Sequence, residues 1–177
     1  GYDCNGICID ADQNYICDFD EIDAVLEGPV SQLIDLTSGW SMFSTYMIPS
    51  DMDMTSNLSQ ILEQLVIVKD VNGSAYLVEW DFNGIGDLEI GQGYQIKTIE
   101  EVSLEIVGDY AFPADHSISL STGWNMIGYL RTEPANASSV LFELYSQGNL
   151  IIVKDYLGAA YLPEWNFNGI GDMIPGR

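Results

Sequence analysis

Two stretches of this chain are near copies of each other, and the duplication constrains the fold more than any single motif. Residues 66–91 read VIVKDVNGSAYLVEWDFNGIGDLEIG, and residues 151–176 read IIVKDYLGAAYLPEWNFNGIGDMIPG. At an offset of 85 (151 − 66), 17 of the 26 aligned positions are identical. Upstream, LIDLTSGWSMFSTY at 33–46 matches SISLSTGWNMIGYL at 117–130, at an offset of 84 (117 − 33). The second copy therefore carries one inserted residue between these blocks. The alignment sets Trp40 against Trp124 and Trp80 against Trp165, which pairs all four tryptophans. Such a repeat means that one supersecondary unit is used twice.

The copies are not equally complete. The first continues past Gly91 as QGYQIKTIEEVSLEIVGDY, while the second reaches Gly176-Arg177 without counterparts of Gln92–Asp109. Those residues read as two strands. Two expectations follow. Either Arg177 marks a boundary within a longer protein, or a strand from another chain completes the second sheet. The latter is β-augmentation, and repeated head to tail it builds a fibre.

Local patterns give each copy a similar plan. The segment 118–130 alternates and contains Gly123-Trp124, which predicts a strand pair or a bent strand. A helical stretch follows, over Thr55–Leu65 in the first copy and Ser138–Tyr145 in the second. Val66–Lys69 and Ala75–Trp80 flank Asp70-Val71-Asn72-Gly73, a hairpin signal in which Asn-Gly supplies the left-handed turn positions. Strands are predicted at Tyr94–Thr98 and Val102–Val107. The expected fold class is mainly β (α+β). It has two tandem homologous β-rich units, each with one short helix, preceded by a small calcium-loop segment. The expected boundaries are 1–28 for that segment, 29–112 for the first unit and 113–177 for the incomplete second.

The N-terminal segment has a different chemistry. Residues 1–24 read GYDCNGICIDADQNYICDFDEIDA and hold all three cysteines, Cys4, Cys8 and Cys17. Counted from Asp10, oxygen donors fall at positions 1 (Asp10), 3 (Asp12), 5 (Asn14), 9 (Asp18) and 12 (Glu21), with the Ile16 carbonyl at position 7. That is the ligand spacing of a twelve-residue calcium loop, and calcium takes six to eight hard oxygens. Position 6 is Tyr15, where such loops place glycine for a sharp turn. A solvated acidic linker is the competing reading. The cysteines indicate an oxidising compartment, and three of them allow one intrachain bridge at most.

A resemblance can now be stated. Gly1–Ile22 resembles the Cys/Asp-rich loops of very large secreted or surface proteins of marine Bacteroidota, which are themselves similar to thrombospondin type-3 calcium repeats. In this chain Gln13-Asn14-Tyr15 stands where those loops carry Gly-Asp-Gly. The units with GWNMIGYL, IVKD, AYLPEW and NFNGIGDMIPG resemble the "GW-N" surface repeats of the same proteins. There they often lie near a type IX secretion signal. The resemblance implies an extracellular or cell-surface, non-catalytic, multi-module protein of which this chain is one section.

Composition narrows the partners. The formal net charge is −22, which repels phosphate backbones and argues against nucleic-acid binding. No run approaches the roughly 20 apolar residues of a membrane helix, so no membrane insertion is expected. The chain opens on Gly-Tyr-Asp-Cys, so a secretion signal was either removed or lies elsewhere in a longer protein. Catalysis has little material. His116 is the only histidine, and no Walker loop, GxSxG or HExxH occurs. The many carboxylates leave room for a glycosidase-type pair, and two tandem copies argue against a single asymmetric cleft. The expectation is no enzyme.

Two further sites are candidates. The loop with Asp81, Asn83 and Asp87 alternates ligand-type residues and is a possible second calcium site. The competing reading is a glycine-shaped turn tied by Asx hydrogen bonds. Tyr76, Trp80, Tyr161 and Trp165 are candidates for stacking on surface glycans, against the reading that the repeated aromatics pack in the core or between strands. The functional expectation is a calcium-stabilised structural or adhesion module, contacting itself or neighbouring modules. A carbohydrate-binding accessory module of a secreted enzyme is the alternative.

Overall fold

The computed structural model describes residues 30–177. The calcium-ligand candidates Asp10, Asp12, Asn14, Ile16, Asp18 and Glu21 lie outside the described residues, as do Cys4, Cys8 and Cys17. The chain forms a mixed α+β fold of several antiparallel sheets with short helices.

Strand β1 (Val30–Leu36) shows why the first part folds as it does. Its residues alternate, burying Gln32, Ile34 and Leu36 and exposing the others. It pairs antiparallel along β8 (Val102–Tyr110), which also pairs at its far end with β3 (Met47–Ile48). A second sheet has the order β2-β7-β4-β5-β6, with β2 at Gly39–Phe43, β7 at Tyr94–Thr98, β4 at Leu65–Lys69, β5 at Ala75–Leu77 and β6 at Phe82–Asn83. Helix α1 (Met54–Leu58) and a 3₁₀ turn at Ser59–Ile61 pack Met54, Leu58 and Ile61 inward. The resulting core joins Ile34, Phe43, Leu58, Val68, Ile96 and Leu104 among others, and all its buried members lie between Ile34 and Ile106. Burying each such side chain is worth about 1.5–3 kcal/mol.

Tyr94 sits inside this core. Its ring stacks on Phe43 with centroids 5.4 Å apart, and its hydroxyl accepts a hydrogen bond from the Glu89 N–H at 2.7 Å. Burial, with smaller contributions from Glu89 and Asp70, pushes its pKa from 10.0 up to about 12. Burial also raises Tyr46, Tyr76, Tyr110 and Tyr129. A raised folded pKa gives stability that is complete below the unfolded value and is lost as pH rises through the folded one. The protein is therefore expected to unfold in alkali between pH 10 and about 12. Tyrosinate absorbance and circular dichroism should change together in that window.

Residues 111–177 repeat part of this plan. Strands β10 (Val153–Lys154), β11 (Ala160–Leu162) and β12 (Phe167–Asn168) form a sheet. Their registers, Val153↔Tyr161 and Tyr161↔Asn168, are those of Val68↔Tyr76 and Tyr76↔Asn83 moved by 85. Strand β9 (Ala135–Asn136) pairs with β13 (Asp172–Met173), and its Asn136↔Asp172 pair matches the Asp53↔Asp87 bridge. That match fixes an offset of 83 (136 − 53) at the helix start, against 84 upstream and 85 downstream. The single inserted residue of the sequence alignment thus resolves into one deletion and two insertions.

Three local expectations need correction. The helix predicted over 55–65 ends at Leu58 and passes into a 3₁₀ turn, because Leu65 is taken into β4 opposite Thr98. The helix predicted over 138–145 is two pieces, α2 (Ala137–Val140) and α3 (Phe142–Ser146), divided at Leu141. Neither the strand pair nor the bent strand predicted over 118–130 forms. Only an isolated bridge, Gln92↔Ile127, remains there. The reason is topological. The matching strands β1 and β2 pair with β8 and β7, and residues 111–177 contain no counterpart of either.

The two halves touch through reciprocal contacts. The Gly128 N–H donates to the Gly91 carbonyl at 2.7 Å, and the Ser44 N–H donates to the Gly176 carbonyl at 3.1 Å. Gly91 abuts Ile118, and Gly176 abuts Ile34 and Gln32. Ser44 and Gly128 are matched positions (128 − 44 = 84), as are Gly91 and Gly176 (176 − 91 = 85). Each half therefore presents the same backbone patch to the other, as in a self-complementary interface.

Candidate functional site

The loop after β6 is built around Asn83. Its Oδ1 accepts from the N–H groups of Ile85 (3.1 Å) and Gly86 (2.9 Å), and its Nδ2 donates to the Gly86 carbonyl at 3.0 Å. Asn168 repeats all three bonds with Ile170 and Gly171. The side chain is committed to closing its own turn, as the Asx reading requires. Asp81 and Asn166 precede these turns in left-handed conformation, at φ 47° and 49°. Short polar residues tolerate that geometry best. Asp87 is exposed and pairs through its backbone with Asp53. Asp81, Asn83 and Asp87 sit on one loop, the Asn83 side chain is bonded within its own turn, and among the described residues no three His, Cys, Asp or Glu side chains gather as a metal site.

Asp53 is a residue the sequence reading missed. It caps α1, accepting from the N–H groups of Thr55 (2.8 Å) and Ser56 (3.4 Å) and from the Thr55 hydroxyl. Its Oδ2 also lies 3.5 Å from Asn83 Nδ2, which ties helix to turn. In the second half Asn136 caps α2 and accepts from Asn168 Nδ2 at 3.2 Å. The repeated signal was an Asx residue three positions before a Ser/Thr pair's end, a cap spacing hidden by the shift in offset. Hydrogen bonds from Thr55 chiefly hold the Asp53 carboxyl below its ordinary pKa of 3.8. A depressed carboxyl gives stability that is present above the unfolded value and lost as pH falls through the folded one. Asp53→Ala should cost about 1 kcal/mol. Asp53→Asn, the choice the second half makes, should hold stability near wild type and flatten the acid limb below pH 3.8. Melting temperature against pH checks both variants.

The tryptophans depart from the core reading. Trp80 and Trp165 are 71% and 72% exposed, next to the exposed Phe82 and Phe167. Tyr76 and Tyr161, the proposed stacking partners, are buried instead. Trp40 lies on the outer face of the sheet opposite Lys97, with the Lys69 and Lys97 ammonium groups 5.5 and 5.9 Å from its ring centroid. Lys154 lies 5.8 Å from the Trp124 ring centroid. All three lysines of the chain therefore stand over a tryptophan, an arrangement worth about 0.5–1 kcal/mol each at exposed sites. The clue in the sequence was a lysine kept in both IVKD blocks of a chain with so few cations.

Concavities are shallow. One of about 440 Å³ is lined by Asp35, Thr37, Glu101 and Ser103, and another of about 450 Å³ by Ser138, Phe142, Tyr145, Tyr161, Pro163 and Asn166. Neither joins a nucleophile to a base in hydrogen-bond reach, and His116 lines neither. No described helix is long and apolar enough to cross a membrane. Compared with known proteins, the chain matches no family model, no curated protein and no solved structure.

Proposed function

We propose that this chain is a non-catalytic structural or adhesive module of an extracellular or cell-surface protein. It consists of two tandem homologous β-rich units, 29–112 and 113–177, behind a calcium-binding segment at 1–28. The observation that carries the reading is the reciprocal contact of Gly91 with Gly128 and of Gly176 with Ser44. A duplicated unit that docks on its own copy makes a stiff scaffold and leaves outward faces for neighbours. The acidity fits a saline, calcium-rich setting, where Asp10, Asp12, Asp18 and Glu21 would be neutralised by the ion.

Calcium tests the reading. At a calcium concentration one hundred times Kd, binding to the folded state alone adds about 2.7 kcal/mol. Calcium should therefore raise the melting temperature, EDTA should reverse the rise, and Asp12→Asn should abolish it. A melting curve indifferent to all three removes calcium from the account.

A glycan-binding reading draws support from the matched exposure of Trp80 and Trp165. Two rings carried at the same place in both units suit repeated stacking on a polysaccharide. Binding on a glycan array that disappears in Trp80→Ala/Trp165→Ala would favour it, and silence of the wild type would sink it.

A further inference from the structure

We propose that Asn72 is a site of self-modification. Its side chain cyclises onto the Gly73 nitrogen, converts the residue to aspartate or isoaspartate, and so loosens the β4–β5 hairpin. The proposal stands apart from the calcium and glycan readings.

The sequence supplies the chemistry. Asn-Gly occurs at Asn5, Asn72, Asn83 and Asn168, the first of them outside the described residues. A following glycine has no Cβ to hinder ring closure. In base the Gly73 nitrogen gives up its proton and attacks Cγ of Asn72. The N–Cγ bond forms, the Cγ–Nδ2 bond breaks, and the amide nitrogen leaves as ammonia, taking a proton from solvent. Water then opens the cyclic imide. Opening at Cγ gives aspartate. Opening at the main-chain carbonyl gives isoaspartate, whose backbone runs through the former side chain. Water is the only co-reactant.

The structure separates the three described sites. At Asn83 the reacting groups are held. Its Oδ1 accepts from the Ile85 and Gly86 N–H groups, and its Nδ2 donates to the Gly86 carbonyl. The Gly84 N–H that would attack donates to the Ala75 carbonyl at 2.9 Å. The Phe82 ring lies against Gly84, 2.9 Å from where a Cβ would stand. Asn168 repeats the side-chain bonds, with the Gly169 N–H on the Ala160 carbonyl at 2.8 Å and the Phe167 ring against Gly169.

Asn72 lacks these restraints. It is exposed, as are Val71 and Gly73 on either side. Its one side-chain contact, Nδ2 to Asp70 Oδ2 at 3.5 Å, is longer than a protein hydrogen bond normally runs. The Gly73 N–H makes only the closing bond of the turn, at 3.3 Å to the Asp70 carbonyl. No atom stands within 4 Å of where a Gly73 Cβ would project, so base and water can approach.

The second unit shows that the turn does not need this asparagine. Leu157 occupies the matched place (157 − 72 = 85). The Asp155 N–H still donates to the Ala159 carbonyl at 3.1 Å and the Gly158 N–H to the Asp155 carbonyl at 3.2 Å. The Ala159 N–H donates to Asp155 Oδ1 at 2.8 Å, as the Ser74 N–H does to Asp70 Oδ1 at 2.7 Å. An Asn-Gly in the hairpin is thus a feature of the first unit alone. Conversion adds a negative charge there, and isoaspartate lengthens the turn backbone by a carbon. That change falls next to the Lys69↔Ala75 pair, whose lysine stands over Trp40.

The test holds the intact chain in alkaline buffer below pH 10, before the buried Tyr94 titrates. Peptide mass spectrometry maps the converted asparagines, and protein isoaspartyl methyltransferase reports isoaspartate. Asn72 should convert, with Asn83 and Asn168 slower by at least about tenfold, since their bonds must open first. In urea the difference should vanish, because glycine follows all three. Asn72→Leu, which copies the second unit, should fold and give no isoaspartate in this hairpin. Amides 69 and 75 should exchange faster in the isoaspartate form. Equal rates at the three sites in the folded chain, or faster conversion at Asn83 or Asn168, overturn the proposal. So does an Asn72 that stays intact in the folded chain while the chain in urea reacts. Unchanged exchange at amides 69 and 75 overturns the loosening.

Discussion

Leu36→Ala should destabilise the protein by about 2–5 kcal/mol, whereas Leu120→Ala at the matched position should change stability by less than about 0.5 kcal/mol. The two leucines occupy equivalent places in the repeat (120 − 36 = 84). They differ in burial and in strand pairing. Leu36 is 2% exposed, lies in the core cluster and sits on a strand paired along its length with β8, so removing its side chain forfeits transfer energy and leaves a cavity. Leu120 is 45% exposed and lies outside any paired strand. Chemical denaturation of the two variants measures the contrast directly. Similar losses at both positions would mean that residues 118–120 are covered in solution by some other part of the molecule.

The second large effect is expected at Gly108, near the C-terminal end of β8. Replacing a strand glycine by alanine ordinarily gains about 0.5–1 kcal/mol, from reduced chain entropy. Here the sign reverses. A methyl group at Gly108 would overlap the carbonyl of Ile48 and the adjoining Pro49 nitrogen. These are backbone atoms, so no rotamer change relieves the clash. The β3–β8 pairing at Ile48↔Asp109 would have to separate. We expect Gly108→Ala to cost about 3 kcal/mol or more, the upper end for overpacking. Amides of residues 47 and 48 should lose protection first. A variant as stable as wild type would show that β3 does not approach β8 this closely.

What the sequence made legible was the part governed by local pattern. Alternation located Tyr94–Thr98 to the residue and the start of the strand at Val102, and Asn72-Gly73 located the hairpin between β4 and β5. Alternation failed at 118–127 because it reports which face of a strand is apolar and says nothing about whether a partner exists. The Thr55–Leu65 helix was overextended for a related reason. Leu65 fits the helical stripe, but pairing with Thr98 recruits it into β4, and a long-range partner outweighs a weak propensity.

The candidate site was legible in outline and misjudged in detail. Recurrence of the tryptophans suggested burial, yet Trp80 and Trp165, each just before a left-handed residue, are exposed. Trp40 shows the other outcome, an aromatic on the outer sheet face shielded by Lys69 and Lys97. The Asx alternative for Asn83 has a direct geometric counterpart, since both polar atoms of its side chain serve the turn. Asp53 and Asn136 escaped notice because their offset of 83 breaks the register of the surrounding repeat.

The central claim is that one folding unit is used twice in this chain, with its hairpin, Asx turn and helix cap repeated in residues 111–177. Native-state hydrogen exchange on the free protein tests it most directly. The matched amides Gly84 and Gly169 donate to Ala75 and Ala160, and Met54 and Ala137 donate to Gly86 and Gly171. The account predicts measurable protection at both members of each pair, with residues 119–126 exchanging faster than residues 35–42. Protection confined to residues 30–110, or equal protection of 119–126 and 35–42, would contradict it.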